Sequence, residues 1–423
     1  MFKQDATTFV ALFFLLALLF GQATLALLLG LMLLALAVAR GWSALALRRI
    51  GYERCITPDR AFVGDRVDLH IRLRNPKLLG VPSLRIYDLV SAQLDFPGVK
   101  LVPHLQPANR LLERFTSLRP FEAVGWHVTV ECTQRGYYLF GPARLQAADP
   151  WGLFLTEEEL DGRTSLIVYP SLLPLAELGL QQRHPLGDMR ARRQLLTDPA
   201  RTVGIRDYEP DDPFKTIHWG ATARRGALQT RIYEPTASLE AAILLDIDTF
   251  EQYWEGIQPE LVERMISVAA TVATLANTER WSFGLYANCA TAGSDQFVRL
   301  SPSRSPAQLP LVLETLAKVV PFSLAPMPQL LRRIGPKLPW GATLLVISAV
   351  PSQAMQLAML RLAEHGRHIL WLYCGSQETP KVPGVDIRRV LPDVHWRDPA
   401  QSPWAPPIPA KAAAHDRMAR TSP

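Results

Sequence analysis

Residues 6–38 form an apolar run without a charged side chain. As one helix the run would extend about 50 Å at ~1.5 Å per residue, longer than a hydrocarbon core of ~30 Å. Gly21-Gln22 is the natural break and leaves segments 6–20 and 23–39. Each is slightly shorter than the ~20 residues that usually span a bilayer. Trp42 and residues 45–47 extend the second segment past Arg40, whose aliphatic stem can snorkel. Trp42 also suits the membrane–water interface. The pattern predicts a transmembrane helical hairpin within residues 1–50, multi-pass in the cell inner membrane. Lys3 precedes it, and Arg40, Arg48, Arg49 and Arg54 follow it. The positive-inside rule then places both ends and the soluble domains in the cytoplasm. A single tilted span would instead separate the two ends. Ala37-Val38-Ala39 resembles a signal-peptide cleavage site, although the apolar run far exceeds a ~7–15 residue signal core.

Alternation with period two follows. Val67, Leu69, Ile71 and Leu73 interleave with Arg66, Asp68, His70, Arg72 and Arg74, between turn signals at Gly64-Asp65 and Asn75-Pro76. Further short strands start at Leu84, Trp126 and Gly136. Residues 51–160 therefore predict an all-β sandwich, Ig-like or fibronectin-like. Trp151 and Phe154 read as core plugs. A strand at 166–170 reads as leaving the sandwich. Residues 161–236 read as a linker with a charged arm, of which 174–201 is an exposed, mobile loop.

From 237 to 395 the periods alternate. Strands are predicted at 239–246, 281–287, 297–300, 342–348, 368–374 and 385–388. Helices are predicted at 260–280, 306–320, 329–334 and 352–365. This order predicts a Rossmann-type α/β domain, a mostly parallel sheet with helices on both faces. Ligands bind such sheets at the carboxyl ends of strands, where Asp246 and Ser348 lie. The Pro- and Ala-rich end, 396–423, reads as a disordered tail.

A length of 423 residues suits two or three domains. The net charge of +6 comes from 45 basic and 39 acidic residues interspersed along the chain, which argues against a nucleic-acid partner. Part of the basic excess adjoins the apolar N-terminus, where a membrane surface is the simpler partner. Cys55, Cys132, Cys289 and Cys374 are far apart, which supports neither a zinc site nor a disulfide framework. Cys132 and Cys289 read as core thiols.

The densest chemistry lies between Gly204 and Thr236. Asp207, Glu209, Asp211 and Asp212 are surrounded by Arg206, Lys215, Arg224, Arg225 and Arg231, with His218 and Trp219 among them. Clustered carboxylates repel unless cations neutralise them, and arginines do so bidentately. Three readings stay open: an ion-pair network stapling the arm to the following domain, a docking surface for a charged partner segment, or a metal or acid–base site using Asp211, Asp212 and His218. No nucleophile motif accompanies His218.

The Asp-Asp, the His-Trp, the following Ala-Arg and the closing Arg-Ile-Tyr-Glu together resemble the signature of the domain-of-unknown-function family 58 (DUF 58). Arg135-Gly136-Tyr137-Tyr138, Gly141-Pro142 and the run from Asp149 to Phe154 are similar to further pieces of that family. The resemblance implies a membrane-anchored protein with a C-terminal von Willebrand factor A-like domain and no recognised enzyme activity. Such domains carry a metal-ion-dependent adhesion site beginning Asp-x-Ser-x-Ser. The matching stretch keeps Asp246, but Asp248 and Phe250 replace the serines, and Ser348-Ala349-Val350 stands where a later Asp is expected. Asp246, Asp248 and Thr249 are the candidate ligands for Mg²⁺ in this degenerate site; no cofactor is required. The resemblance also implies a MoxR-type AAA+ ATPase as partner in maturing envelope or metal-dependent complexes, with a client protein still to be named. The expected function is protein binding or assembly. A metal-assisted hydrolase using Asp211, Asp212, His218 and Asp246, and a purely structural membrane scaffold, are the alternatives.

Overall fold

The structure, a computed structural model, describes residues 4–174, 178, 197–210, 212, 214–235, 240–252, 255–338 and 342–390. The chain divides into two compact units, Met1–Ser171 and Leu172–Trp396. The expected disordered tail and most of the expected mobile loop, with Arg183, Arg190, Arg192 and Arg193, lie outside the described residues, as does Asp211.

The first unit opens with α1 (Gln4–Leu19) and α2 (Ala23–Ala46). The turn between them falls at the predicted break, with Gly21 at a φ of 67°. That left-handed conformation suits glycine because it has no Cβ. The two helices pack on each other through small residues: Ala17 and Ala26 are buried, and a Cβ on Gly30 would come within 3.2 Å of the Phe14 ring. Leu12, Phe13, Leu19, Leu27 and Leu31 remain exposed, so the pair is apolar on its outer faces. Among the described residues α2 is the one helix long and apolar enough to cross a membrane; the apolar part of α1, Thr7–Leu19, is shorter.

Eleven strands follow. β1 (Gly51–Thr57), β2 (Arg60–Phe62), β3 (Arg66–Arg74) and β4 (Val81–Ser91) lead to β5 (Leu101–Pro103), β6 (Asn109–Leu118) and β7 (Ala123–Glu131). β8 (Gly136–Phe140), β9 (Ala143–Ala148), β10 (Leu155–Leu160) and β11 (Thr164–Tyr169) complete the unit. They form sheets β1-β3-β7, β10-β9-β4-β6-β5 and β2-β11-β8. Val67, Leu69 and Ile71 of β3 share one core with Val90, Leu112, Phe140 and Leu166, which joins the three sheets as a sandwich. Two expectations are corrected here. β11 does not leave the sandwich but pairs with β8 and β2, so the sandwich runs past residue 160. Trp151 is exposed and plugs no core.

The second unit begins with a hairpin of β12 (Thr197–Asp207) and β13 (Gln229–Pro235), with a 3-10 turn at Phe214–Thr216 and α3 (Trp219–Arg225) between them. The α/β layer follows in the predicted order: β14 (Glu240–Leu245), α4 (Pro259–Thr278), β15 (Ser282–Ala287), β16 (Cys289–Thr291), β17 (Val298–Ser303), α5 (Gln308–Lys318), β18 (Val319–Ser323), α6 (Met327–Ile334), β19 (Thr343–Ser348), α7 (Gln353–Glu364), β20 (Ile369–Tyr373) and β21 (Asp386–Arg389). The main sheet is ordered β17-β15-β14-β19-β20-β21 and is parallel except for β17. β16 and β18 make a separate small ribbon. β14 and β19 are continuous apolar runs because both of their faces are covered. α4 packs on β14, β15 and β19, while α6 and α7 share a core with Ala242, Leu244, Val346 and Trp371 on the other face.

The end of α2 is built into the sandwich. Ala46 and Leu47 belong to the core formed by Leu73, Leu84, Ile86 and Leu118. The Ser43 and Thr156 hydroxyls lie 2.5 Å apart, and Thr156 Oγ1 donates to the Ser43 carbonyl at 3.1 Å. Lys77 Nζ donates to the carbonyls of Leu45 (2.6 Å), Ala46 (2.5 Å) and Arg48 (2.9 Å). A cation there suits the negative end of the helix dipole. Trp42, expected at the lipid interface, is half-buried on this docked segment.

Arg54 is not a membrane-facing cation. It is buried against Asp88 in an ion pair, with Tyr52 Oη donating to Asp88 Oδ2 at 2.7 Å and Arg54 Nη2 donating to the Phe140 carbonyl at 2.7 Å. Burial pushes the Asp88 carboxyl upward, against the pull of Arg54. Removing one partner of such a pair leaves an uncompensated buried charge. Arg54→Met is therefore expected to destabilise the sandwich by about 3–5 kcal/mol. Urea unfolding of the detergent-solubilised protein checks this; an unchanged midpoint would contradict it.

Candidate functional site

Parallel register brings the site together. Leu245 lies beside Ala287 and Ile347, so the next residues, Asp246, Asn288 and Ser348, emerge side by side at the carboxyl ends of β14, β15 and β19. The chain leaves β14 toward β15 on one side and later returns to β19 on the other. The Asp246 end is thus the switch point of the sheet, where open α/β folds bind ligands.

Asn288 is fully buried and organises the cluster. Its Oδ1 accepts from Ile247 N at 2.9 Å, which fixes the orientation of the amide. Its Nδ2 then donates to Asp246 Oδ1 at 2.7 Å, Asp248 Oδ2 at 3.0 Å and Ser323 Oγ at 3.3 Å. Asp248 N donates to Asp246 Oδ1 at 3.2 Å. Burial first, and then the Asp248 charge, push the Asp246 carboxyl well above the usual carboxylate range. Burial also raises Asp248, which is half-buried and opposed by bonds from Ser323, Asp246 and Asn288. Both carboxyls are thus biased toward the protonated form, Asp246 the more strongly. Phe250, next along the loop, is 40% exposed.

This arrangement does not fit a hard cation, which wants several free oxygens. The Asn288 amide bonds to one oxygen of each carboxylate, and Thr249 Oγ1 accepts from Gln258 N at 2.9 Å. The Ser348 hydroxyl accepts the Trp371 indole N–H at 2.8 Å inside the core. Among the described residues no group of three His, Cys, Asp or Glu is placed to hold a metal. Asn288 and Ser323 were missed by sequence reasoning. The signal for Asn288 was a polar residue directly after a strand parallel to β14.

The charged arm is a folded hairpin. Arg206 pairs with Asp212 at 2.6 Å and Glu209 at 3.4 Å, and Arg225 with Asp207 at 3.6 Å. Gln229 Nε2 donates to Asp207 Oδ1 at 2.6 Å. The Asp212 carboxyl is held low, first by the Glu209 N–H and also by Arg206. Among the described residues these pairs lie within the arm. His218 caps α3: its Nδ1 accepts from Ala221 N at 3.0 Å, which leaves the neutral ring's proton on Nε2. Arg231 lies on β13 opposite Ile205. Lys215, Trp219, Arg224 and Phe214 are exposed. Among the described residues the hydrogen bonds of His218 and the ion pair of Asp212 lie within the arm, and those of Asp246 lie within its own cluster.

A carboxyl whose folded pKa is raised gives stability below its unfolded pKa and loses it as pH climbs through the folded value. Asp246→Asn keeps the uncharged form at every pH. It is expected to melt above the parent protein at alkaline pH, with the difference closing as pH falls below the usual carboxylate range. Thermal unfolding across pH measures this, and a difference that widens toward acid would contradict it.

Several solved β proteins are similar at low identity. A non-cellulosomal cohesin from Archaeoglobus fulgidus is 9% identical with a TM-score of 0.18, covering 26% of this chain and 84% of that one. The full-length major pilin SpaD from Corynebacterium diphtheriae is 10% identical with a TM-score of 0.21, covering 27% and 35%. A collagen-binding domain from a Staphylococcus aureus adhesin is 10% identical with a TM-score of 0.18, covering 28% and 95%. The uncharacterized protein YeaD of Bacillus subtilis (strain 168) is 26% identical over 122 residues, which span 28% of this chain and 30% of that relative. Residues 204–367, which hold the charged arm and the Asp246–Asn288 cluster, match the family described as protein of unknown function DUF58.

Proposed function

We propose that this chain is a membrane-anchored protein-binding and assembly factor. α1 and α2 insert as a hairpin in the cell inner membrane, and the soluble units face the cytoplasm on the strength of Arg40, Arg48 and Arg49. The sandwich is an Ig-like spacer. The α/β unit is a von Willebrand A-like domain with a degenerate adhesion site. Its support is the strand order, with β14 central and the third strand of the sheet, β17, antiparallel at the edge.

One observation carries the binding reading. Asn288 bonds to Asp246 and Asp248 and so holds the loop after β14, in which the half-buried Asp248 and the exposed Phe250 stand two residues apart at the switch point. A fixed carboxylate next to an exposed aromatic ring suits recognition of a basic and apolar protein surface. The resemblance to DUF 58 makes a MoxR-type AAA+ ATPase the partner to test, acting on a client in envelope or metal-dependent complexes. This reading assigns no catalysis: the His218 ring caps a helix, and Asp212 is engaged by Arg206.

The protein carrying a C-terminal tag is captured in mild detergent with and without Mg²⁺-ATP. An AAA+ ATPase is expected with the parent protein and is expected to fall at least about tenfold with Asp248→Ala/Phe250→Ala, a loss of ~1.4 kcal/mol or more. Absence of any ATPase under both conditions would overturn the partner assignment. Equal recovery with the variant would move the contact off this site.

A further inference from the structure

Three loops of the sandwich expose large apolar side chains at one end: Leu78 is 78% exposed, Phe121 68% and Trp151 57%. Strand register places these loops together. Val81 pairs with Leu118, Ser83 with Ala148, and Arg74 with both Ala123 and Gly51. This is the end at which α2 hands the chain to β1. Arg40 of α2 lies 5.9 Å over the Phe154 ring of the Trp151 loop, and Lys77 of the Leu78 loop holds the last carbonyls of α2.

The Leu78 and Trp151 loops each bury a polar residue and show an apolar one, the reverse of a solvated loop. Asn75 is fully buried, and its Nδ2 donates to the carbonyls of Leu79 and Arg119 at 2.9 Å each, tying two loops together. Phe121 is held at a φ of 57°, sparsely populated for a bulky residue, and its N–H donates to the Lys77 carbonyl at 3.3 Å. Buried Asp149 accepts from Trp151 N at 3.0 Å and Phe154 N at 2.6 Å. The side chains are therefore presented by rigid backbone. Exposed cations lie on the adjoining segments: Arg40 on α2, Arg48 and Arg49 between α2 and β1, and Arg119 two residues before Phe121.

We propose that this end of the sandwich is a second membrane contact, in which Leu78, Phe121 and Trp151 enter the headgroup–acyl boundary and the arginines meet anionic lipid headgroups. Indole rings favour that boundary, and basic residues near it are drawn to anionic lipid. The occupant follows from continuity: the same end leads directly into the apolar surface of α2. The inference rests on the reading of α2 as a membrane anchor.

The full-length protein with Cys55→Ser, which removes the exposed thiol, receives one cysteine at a time: Trp151→Cys, Leu78→Cys, Leu28→Cys on α2, or Leu105→Cys in the loop at the opposite end. Each is labelled with a polarity-sensitive fluorophore and reconstituted into phosphatidylcholine vesicles containing a minority of phosphatidylglycerol. Spin-labelled lipids, labelled near the headgroup or near the chain terminus, report depth. Positions 151 and 78 are expected to be quenched severalfold more than 105 by the shallow label, and 28 by the deep one. Quenching at 28 with 151 and 78 no different from 105 would overturn the second contact and leave the anchor standing. A blue shift at 151 and 78 without lipid quenching would overturn it in favour of a protein cover such as a second copy. No quenching at 28 would remove the anchor itself, and the inference with it.

Discussion

Lys77 satisfies carbonyls that the last turn of α2 leaves without helical partners, and so ties the helix to the sandwich. A helix end buried without partners is costly, and a bilayer offers none. Here a loop of the sandwich supplies the donor, while Ala46 and Leu47 fill the sandwich core and Ser43 bonds to Thr156. The apolar helix is thus one continuous element with two environments. Its N-terminal part shows apolar side chains outward, and its last turns are core. The absence of a flexible linker fixes the direction in which the sandwich leaves α2.

A buried amide, that of Asn288, does comparable work in the α/β unit. Asn288 holds two carboxyl groups that would otherwise repel, and its orientation is set by a backbone N–H on the far side. Desolvation and the nearby Asp248 raise the Asp246 carboxyl well above its usual range, which disfavours two charges in the loop. The same economy appears in Asn75 and Asp149, buried polar residues that shape loops whose exposed faces are apolar.

The alternation of β3 and the unbroken apolar runs of β14 and β19 were legible because each reports directly which faces are covered. The hairpin turn was legible because Gly21 interrupts an apolar run. Asp246 was found from its place after a strand, but its partner Asn288 was not, since the pairing depends on the register between β14 and β15. Arg54 shows the same limit. Its position after an apolar helix reads as a membrane charge, and only the approach of Asp88 from β4 reveals a buried ion pair. Trp151 was misread because an aromatic residue in a Pro-Trp-Gly turn has no periodicity to tell its face. Within the arm, the opposed charges announced ion pairs, but local sequence could not say that the pairs would close inside the hairpin.

Hydrogen–deuterium exchange of the full-length protein in a lipid bilayer tests the account most directly. If α2 ends inside the sandwich, amides of residues 41–47 exchange as slowly as those of β9 and β10, and all of them speed up together in Lys77→Met. Exchange at 41–47 that is orders of magnitude faster than in β9 and β10, or indifferent to Lys77, would mean that the anchor and the sandwich are separately folded pieces joined by a loose tether.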